Sequence, residues 1–291
     1  MLSVSGHVEL WGVLNVTPDS FSDGGRFVDP DRALHHAESL IGAGAEVIDV
    51  GGESSRPAGK SYGAGASLVS PAEELARVLP LVEGLRERFS VTVSVDTVKP
   101  SVAKAALSAG ARIINDVSTR ADPELLHAVA SAGGTLVRMH NRGRGEISGA
   151  NIAYRDLLGE VSEELLTERD RALSAGIPAD RIWLDPGIGF AKTAAQSAEL
   201  IARTDELAAL GHPLLVGASR KSFIGALAPN ADGTTPAPTE RLAGSLVAHL
   251  VAAGKGARAL RVHDVAEMRQ ALEMVKGLTT TGDRTAPREA R

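Results

Sequence analysis

Eight short apolar runs recur along this chain, and most of them end in a polar or charged residue. The runs are Glu9–Asn15, Glu46–Gly52, Val91–Thr97, Arg112–Val117, Thr135–Asn141, Arg181–Gly187, Pro213–Ser219 and Ala259–Asp264. Near-continuous apolar strands that alternate with helical segments are typical of a parallel sheet buried on both faces. The pattern therefore predicts an α/β fold, a (β/α)8 TIM barrel whose active site lies at the carboxyl ends of the strands.

The segments between the runs have helical spacing and carry helix-start and helix-stop signals. Ser70 and Pro71, for example, form an N-cap and a first-turn proline, and Gly110 is one of several glycines at predicted helix ends. The predicted helices are Asp31–Ala43, Pro71–Phe89, Lys99–Gly110, Pro123–Ala132, Tyr154–Ala175, Ala194–Leu210, Thr239–Ala253 and Val265–Leu278. No linker divides the chain, so we expect a single domain over residues 1–278 and a disordered polar tail over residues 279–291.

A doubly wound open sheet is the alternative architecture. It would need about five or six strands and a G-x-G-x-x-G turn after the first strand. This chain has eight strand-like runs, and the glycine turn is missing after the first one. The barrel is therefore favoured.

Composition excludes several classes of protein. A formal net charge of −5 gives no basic footprint for general nucleic-acid binding. The chain has no cysteine, which excludes disulfides and thiolate metal sites and is compatible with a reducing compartment. Its N-terminus does not resemble a signal peptide, and its longest apolar stretch is too short to span a bilayer. We therefore expect a cytoplasmic protein with no nucleic-acid or membrane partner.

Polar side chains stand at or beside the carboxyl ends of several predicted strands. They are Asn15, Asp96, Asn115, Asp185 and His263. Asp96 could simply cap the next helix, and Asp185 could simply make a turn. Two carboxylates and two amides at one rim are nevertheless more than turns require, and buried carboxylates are costly without donors. A planar heterocycle with an amino group and ring N–H groups would supply such donors.

Cationic residues near the same rim indicate an anionic substrate group. Lys221 follows strand 7; it is either a surface lysine or a charge beside Asp185 that meets a carbonyl oxygen or an anion. Arg56, Arg261 and His263 could bind phosphate. The alternative for Arg261 or His263 is a structural ion pair with the adjacent Asp264.

The remaining candidates concern the pocket wall and a metal. Met139 is expected to line an apolar wall against a ring. His140 is either a satisfied core histidine or, less favoured, catalytic. The chain shows no His/His/carboxylate spacing of the zinc type. Mg²⁺ commonly binds to substrate phosphates and to one or two protein oxygens. A Mg²⁺ held mainly by a diphosphate, with Asn15 as one oxygen ligand, fits this habit.

Taken together, the motifs resemble those of the dihydropteroate synthase family. The segments that carry the resemblance are GVLNVTPDSFSDGG from Gly12, DVGGESSRP from Asp49, SVDT, IND, MH, DPGIGFAK, VGASRKSFIG and RVHD, in that order. The resemblance implies a (β/α)8 transferase of folate biosynthesis, usually a homodimer and a target of sulfonamides. Such an enzyme condenses 6-hydroxymethyl-7,8-dihydropterin diphosphate with 4-aminobenzoate, giving 7,8-dihydropteroate and diphosphate.

The resemblance also implies roles for individual residues. The pterin would be held by Asp96, Asn115, Met139, Asp185, Phe190 and Lys221. The diphosphate would be bound by Asn15 through Mg²⁺, by Arg56, by Arg261 and by His263. The aminobenzoate site would be bordered by Ser55, Arg56, Pro57, Phe190, Ser219 and Lys221. The catalytic residues would be Asp96, Lys221, Arg261 and His263, and residues 17–25 would form a loop that closes over the substrates.

Two departures and two alternative functions accompany this interpretation. Residues 58–69 form a longer and more glycine-rich connection than the family pattern predicts, and Asn141 stands where a methionine is frequent.

A pterin-binding methyltransferase would share the barrel and the Asp/Asn/Asp pocket, but it would not need Arg56, Lys221 or the Arg-x-His pair. A non-catalytic pterin-binding paralogue would show degraded phosphate-site residues, and here they are intact.

Overall fold

The computed structural model describes residues 3–4, 6–16, 29–53, 69–143 and 152–282, and it contains eight strands that alternate with helices. The strands are β1 (Glu9–Asn15), β2 (Val47–Gly51), β3 (Thr92–Asp96), β4 (Ile113–Asp116), β5 (Thr135–Met139), β6 (Ile182–Asp185), β7 (Leu215–Val216) and β8 (Ala259–Val262). The α-helices are α1 (Pro30–Gly42), α2 (Pro71–Arg88), α3 (Pro100–Ser108), α4 (Pro123–Ala132), α5 (Leu157–Ser174), α6 (Ala194–Ala202), α7 (Thr204–Ala208), α8 (Ser222–Leu227), α9 (Leu242–Gly254) and α10 (Val265–Gly282).

The strands form one parallel sheet that closes on itself. Their order is β6-β5-β4-β3-β2-β1-β8-β7, and an isolated parallel bridge between Leu184 and Leu214 joins β6 to β7. The first and last strands are neighbours, with Trp11 opposite Arg261. An open doubly wound sheet has no such closure, so the predicted barrel is confirmed. None of the described helices is long and apolar enough to cross a membrane.

Helix ends follow the chemistry that the sequence supplies. Ser70 and Glu73 form a capping box at the start of α2, and Asp122 caps α4 by accepting from the backbone N–H of Glu124. Gly133 ends α4 with a φ of 61°, a left-handed conformation that glycine adopts without steric cost. These local signals explain why most predicted helix boundaries lie within one or two residues of the observed ones.

Four elements depart from the prediction. The segment predicted as one helix from Ala194 to Leu210 is two helices, α6 and α7, because Arg203 leaves helical geometry between them. A short helix, α8, lies between the seventh strand and the predicted helix Thr239–Ala253, where no helix was predicted. Helix α10 continues to Gly282, past the predicted start of the tail at residue 279, and Thr279 Oγ1 supports it by donating to the carbonyl of Val275. The rest of the predicted tail lies outside the described residues.

The fourth departure is strand β7, which has two residues instead of the predicted seven. Beyond it the backbone bonds to a side chain, since the N–H of Ala218 donates to Nε2 of His249 at 3.0 Å. His249 lies on α9 and is fully buried. Burial lowers the pKa of His249 to about 4, so the imidazole is neutral in the fold. This buried acceptor fixes the segment that leads to Ser219 and Lys221.

The lowered pKa of His249 predicts a pH dependence of stability. In the unfolded chain the imidazole binds a proton below about pH 6.5, whereas in the fold it binds one only below about pH 4. Its protonation therefore favours the unfolded state, and the free energy of unfolding should fall between these two values by roughly 3 kcal/mol. Urea titrations across this range measure the effect. His249→Gln should flatten the acid limb by about this amount, and an unchanged limb would contradict the assignment.

Two hydrophobic clusters define where the site lies. The larger cluster fills the space between strands and helices. The smaller one comprises Trp11, Val47, Ile113, Val137, Leu215 and Ala259, with Trp183 packed against it. Two residues further along a strand, the side chain lies on the same face of the sheet. For five of these seven positions that residue is Asp49, Asn115, Met139, Asp185 or Arg261. The polar groups therefore lie in the barrel interior, directly above an apolar plug.

Candidate active site

Arg261 of β8 binds two carboxylates from other strands. Its Nε donates to Oδ2 of Asp49 on β2 at 2.5 Å, and its Nη2 donates to Oδ2 of Asp96 on β3 at 3.3 Å. Burial opposes the charge of Arg261, but the attraction of Asp49 and Asp96 outweighs it and raises the pKa of the guanidinium. The group thus remains a fixed cation at the mouth of the barrel.

The sequence interpretation missed Asp49 as a site residue. Its side chain is completely buried, and it is the closest partner of Arg261. The alternating pattern of β2 contains the signal, because Asp49 shares a face with Val47 and Gly51 while Ile48 and Val50 pack against the helices. The alternative partner predicted for Arg261, Asp264, instead binds Arg220, with Nε to Oδ2 at 3.0 Å.

Asn115 completes this group and leaves polar atoms without partners. Its Nδ2 donates to Oδ2 of Asp49 at a long 3.4 Å. Within the described residues, Oδ1 of Asn115 and Oδ1 of Asp49 are buried and accept no hydrogen bond. An unsatisfied buried polar atom costs roughly 1–3 kcal/mol, so its presence in a native site calls for an explanation. A bound molecule with N–H donors would provide one.

Asp185 ends β6, and Lys221 follows β7. Oδ1 of Asp185 accepts the N–H of Gly187 at 2.7 Å. Burial raises the pKa of Asp185, and the charge of Lys221 opposes that rise. Burial likewise lowers the pKa of Lys221 to about 8, with Asp185 opposing the shift. Lys221 is partly buried and its Nζ donates to a backbone carbonyl of the loop that follows Asp185, so it is not the exposed surface lysine of the alternative.

The surroundings of Lys221 form one wall of the pocket. Its Nζ donates to the carbonyl of Ile188 at 2.6 Å and lies 4.6 Å from the centroid of the Phe190 ring. A Cβ atom added at Gly217 would lie 3.9 Å from this Nζ and 3.7 Å from Cβ of Arg261. Gly217 therefore lies between the two cations, which face the same opening. Met139 is buried at the end of β5.

His263 and Asn15 stand at the rim near Arg261 and Asp96, respectively. Nδ1 of His263 shares a hydrogen bond with Oγ of Ser219 at 2.9 Å, and the backbone N–H of His263 donates to the same oxygen at 3.2 Å. A Cβ atom added at Gly51 would lie 3.3 Å from Oδ1 of Asn15 and 3.8 Å from Cβ of Asp96. The structure thus brings the predicted phosphate-site residues Asn15, Arg261 and His263 to one end of the barrel.

Some predicted site residues fall outside the described residues. They are Ser55, Arg56 and Pro57, together with residues 17–25 and most of the long connection 58–69. Their roles stay predictions.

His140 faces away from the pocket, on the other side of β5 from Met139. Its Nε2 lies 2.9 Å from Oε2 of Glu164, and its Nδ1 lies 2.8 Å from Nζ of Lys192. Burial lowers the pKa of His140 to about 4. This geometry supports the core interpretation. The neighbouring Asn141 is structural too, because its Nδ2 donates to the carbonyl of Val117 at 3.0 Å.

Comparison with known proteins decides the family. The family described as "Pterin binding enzyme" matches residues 11–263. A dihydropteroate synthase of Mycobacterium leprae is 45% identical over 270 residues, covering 92% of each chain. The chain belongs to the dihydropteroate synthase family. Solved dihydropteroate synthases of Xanthomonas albilineans agree. The one with 4-aminobenzoic acid has a TM-score of 0.82 at 40% identity, covering 97% of this chain and 94% of that one. The one in complex with 7,8-dihydropteroate has a TM-score of 0.79 at 38% identity, covering 97% and 95%.

Membership fixes the reaction class. A dihydropteroate synthase is a transferase of folate biosynthesis that joins a pterin methylene to an arylamine and releases diphosphate. The match extends over nearly the whole barrel at an identity of 45%, which favours a synthase over the methyltransferase alternative.

Proposed function

We propose that this chain makes 7,8-dihydropteroate from 6-hydroxymethyl-7,8-dihydropterin diphosphate and 4-aminobenzoate by electrostatic stabilisation of a pterin cation. One observation carries the proposal. Fixed carboxylates, buried amide and carboxylate oxygens without partners, and two cations converge on the same opening of the barrel. The oxygens suit the N–H donors of a pterin, and the cations suit a diphosphate.

The pterin would occupy the space above the apolar plug. Asn115 and Asp185 would accept hydrogen bonds from its amino and ring N–H groups, and Lys221 would donate to its carbonyl oxygen. Met139 and Phe190 would contact the ring faces. Asp96 completes the set from β3, opposite Asn115 in the sheet register.

The reaction exchanges one bond at the exocyclic methylene. The C–O bond to diphosphate breaks, and its electron pair leaves with the diphosphate. The resulting positive charge is delocalised over the pterin, where Asp96 and Asp185 would stabilise it as pre-placed anions. The amine of 4-aminobenzoate then forms the C–N bond and loses a proton to water. Arg261 and His263 would bind the departing diphosphate, with Arg56 as a further predicted contact.

The arylamine is neutral before it attacks, so the site needs orientation more than a general base. Phe190, Ser219 and Lys221 would border its binding site, together with Ser55, Arg56 and Pro57. We infer that sulfonamides compete at the same place.

A Mg²⁺ ion is part of the proposal. Within the described residues, no three His, Asp or Glu side chains are grouped to hold a metal. The amide oxygen of Asn15 fits one ligand position, since the absent side chain of Gly51 leaves space around it. Mg²⁺ commonly binds with few protein ligands and several phosphate oxygens. Bound in this way, it would neutralise charge on the leaving group.

We also propose a homodimer in the cytoplasm. Helices α9 and α10 pack together and expose large apolar side chains: Val247 is 62%, Met274 61% and Leu278 63% exposed. Such side chains are typical of a surface that a second subunit covers. Sedimentation equilibrium measures the mass directly and should give that of two chains.

The cytoplasmic location is supported by composition, since a chain without cysteine needs no oxidising compartment for disulfides.

Turnover and its metal requirement test the proposal. Purified protein with the pterin diphosphate, labelled 4-aminobenzoate and Mg²⁺ should release pteroate and diphosphate in equal amounts. Chelation of the metal should lower the rate by at least about 10-fold, because the leaving group loses charge neutralisation, and added Mg²⁺ should restore it. Tight pterin binding without turnover would favour the non-catalytic paralogue. Turnover unaffected by chelation would remove Mg²⁺ alone.

A further inference from the structure

Lys192 carries a buried ammonium group that the proposed reaction does not use. The residue is 5% exposed and lies seven positions after Asp185, in the loop between β6 and α6. Its Nζ lies 2.8 Å from Nδ1 of His140, 3.0 Å from the carbonyl oxygen of Phe190 and 3.2 Å from that of Gly187. An ammonium group has three N–H donors. Each donor therefore has one acceptor.

The histidine end of this arrangement is anchored to a helix. Because Nδ1 of His140 accepts from Lys192, the ring proton lies on Nε2 and is donated to Glu164 of α5 at 2.9 Å. Glu164 in turn accepts from Nε of Arg142 at 3.0 Å. A carboxylate, an imidazole and an ammonium thus connect α5 to the loop after β6.

That loop carries three groups of the proposed site. Gly187 donates its N–H to Asp185, Ile188 accepts from Lys221, and the Phe190 ring lies beside Lys221. The two carbonyl groups that Lys192 binds belong to Gly187 and Phe190, on either side of Ile188. Lys192 therefore binds both ends of the Gly187–Phe190 segment. This segment contacts Asp185 and Lys221 and carries the Phe190 ring.

The backbone of this loop is held in an uncommon conformation. Ala191 has a φ of 46°, in the left-handed region that residues with a Cβ atom rarely adopt. Such a conformation persists when its surroundings over-determine it. Lys192 on one side and the Tyr154 hydroxyl, which donates to the Ala191 carbonyl at 3.1 Å, supply those constraints.

We propose that Lys192 is a positioning residue that fixes the Gly187–Phe190 segment from behind, so that Asp185, Phe190 and Lys221 converge on the pterin. Its role in turnover rests on the proposed function; its role in pterin binding can be tested without turnover. Lys192 binds this segment and His140, so diphosphate binding by Arg261 and His263 should not depend on it. Burial lowers the pKa of Lys192 to about 7, with Asp185 opposing the shift. The three acceptors favour the protonated form.

Two modified forms of the enzyme test this role. Lys192→Met keeps the length of the side chain and removes every donor. Lys192→Cys can be aminoethylated in the unfolded chain, which rebuilds a lysine-like side chain with a sulfur in it. The natural chain contains no cysteine, so the modification is specific to position 192. Lys255→Met, at an exposed ion pair with Asp205, is the matched lysine control and should match the natural chain.

Lys192→Met should lower kcat/KM by about 100-fold, the size of effect that small misplacements of reacting groups produce. Calorimetry should show a similar loss of affinity for the free pterin and an unchanged affinity for inorganic diphosphate. Aminoethylated Lys192→Cys should recover most of both losses. General damage to the fold would weaken diphosphate binding in parallel and would not be corrected by the aminoethyl group.

Three results would overturn the proposal: a change of kcat/KM and pterin affinity within about twofold, a parallel loss of diphosphate affinity, or no recovery after aminoethylation. If methionine at position 192 prevents folding, His140→Phe can be tested with the same two binding measurements. This variant removes one of the three acceptors of Lys192. It should weaken pterin binding about 10-fold, the cost of one hydrogen bond to a charged group, and leave diphosphate binding unchanged. If the natural chain does not convert the pterin diphosphate and 4-aminobenzoate, the proposed function is wrong. The binding measurements would still test the role of Lys192.

Discussion

Asp96→Asn is expected to lower kcat about 100- to 1,000-fold while pterin affinity changes only a few-fold. The amide keeps the shape of the carboxylate and its capacity to accept from Arg261. It removes the negative charge that would stabilise the cation formed when diphosphate leaves. Because that cation exists only after bond breaking has begun, the loss should appear in kcat and not in ground-state binding. Single-turnover rates and calorimetric dissociation constants for the pterin separate the two quantities.

Two comparisons make this result interpretable. Asp205→Asn, at an exposed ion pair on α7, should leave both quantities unchanged. Asp185→Asn should resemble Asp96→Asn in kcat but should weaken pterin binding more, since Asp185 also neighbours Lys221. Equal losses in kcat and affinity for Asp96→Asn would exclude the cation-stabilising role.

Arg261→Met is expected to raise KM for the pterin diphosphate roughly 100-fold and to lower the free energy of unfolding by about 3–5 kcal/mol. The first effect follows from the loss of a cation that would bind diphosphate. The second follows from Asp49, a fully buried carboxylate whose closest partner is Arg261. Steady-state kinetics and urea titration measure the two effects on the same preparation.

A double variant separates catalysis from stability. Asp49→Asn combined with Arg261→Met removes both charges, so stability should return to within about 1–2 kcal/mol of the natural chain. KM should remain raised, because the guanidinium is still absent. A double variant as unstable as Arg261→Met would show that Asp49 is not the group left uncompensated.

The barrel and most of the rim were predictable because both depend on short-range order. A strand alternates its faces every residue, so apolar runs ending in Asp96, Asn115 and Asp185 identified the strands and the edge where they end. The same order located Lys221 just beyond strand 7. The split between α6 and α7 was not predictable, since it depends on one residue, Arg203, leaving helical geometry.

Long-range partners were the part that sequence could not supply. Arg261 and Asp49 are 212 positions apart, and nothing local to either residue indicates the pair. The adjacent Asp264 was a reasonable alternative, but it follows the end of β8 and binds Arg220. Lys192 was overlooked for a related reason. Its three acceptors come from the fold of its own loop and from a histidine 52 positions away.

The apolar plug beneath the site has a practical consequence. The chain contains two tryptophans, and they are the pair Trp11 and Trp183, with ring centroids 5.5 Å apart inside the barrel. Intrinsic indole fluorescence from this protein therefore originates from one spot under the pterin pocket. Occupancy of the pocket can be followed by quenching of that emission, with no label attached to enzyme or substrate.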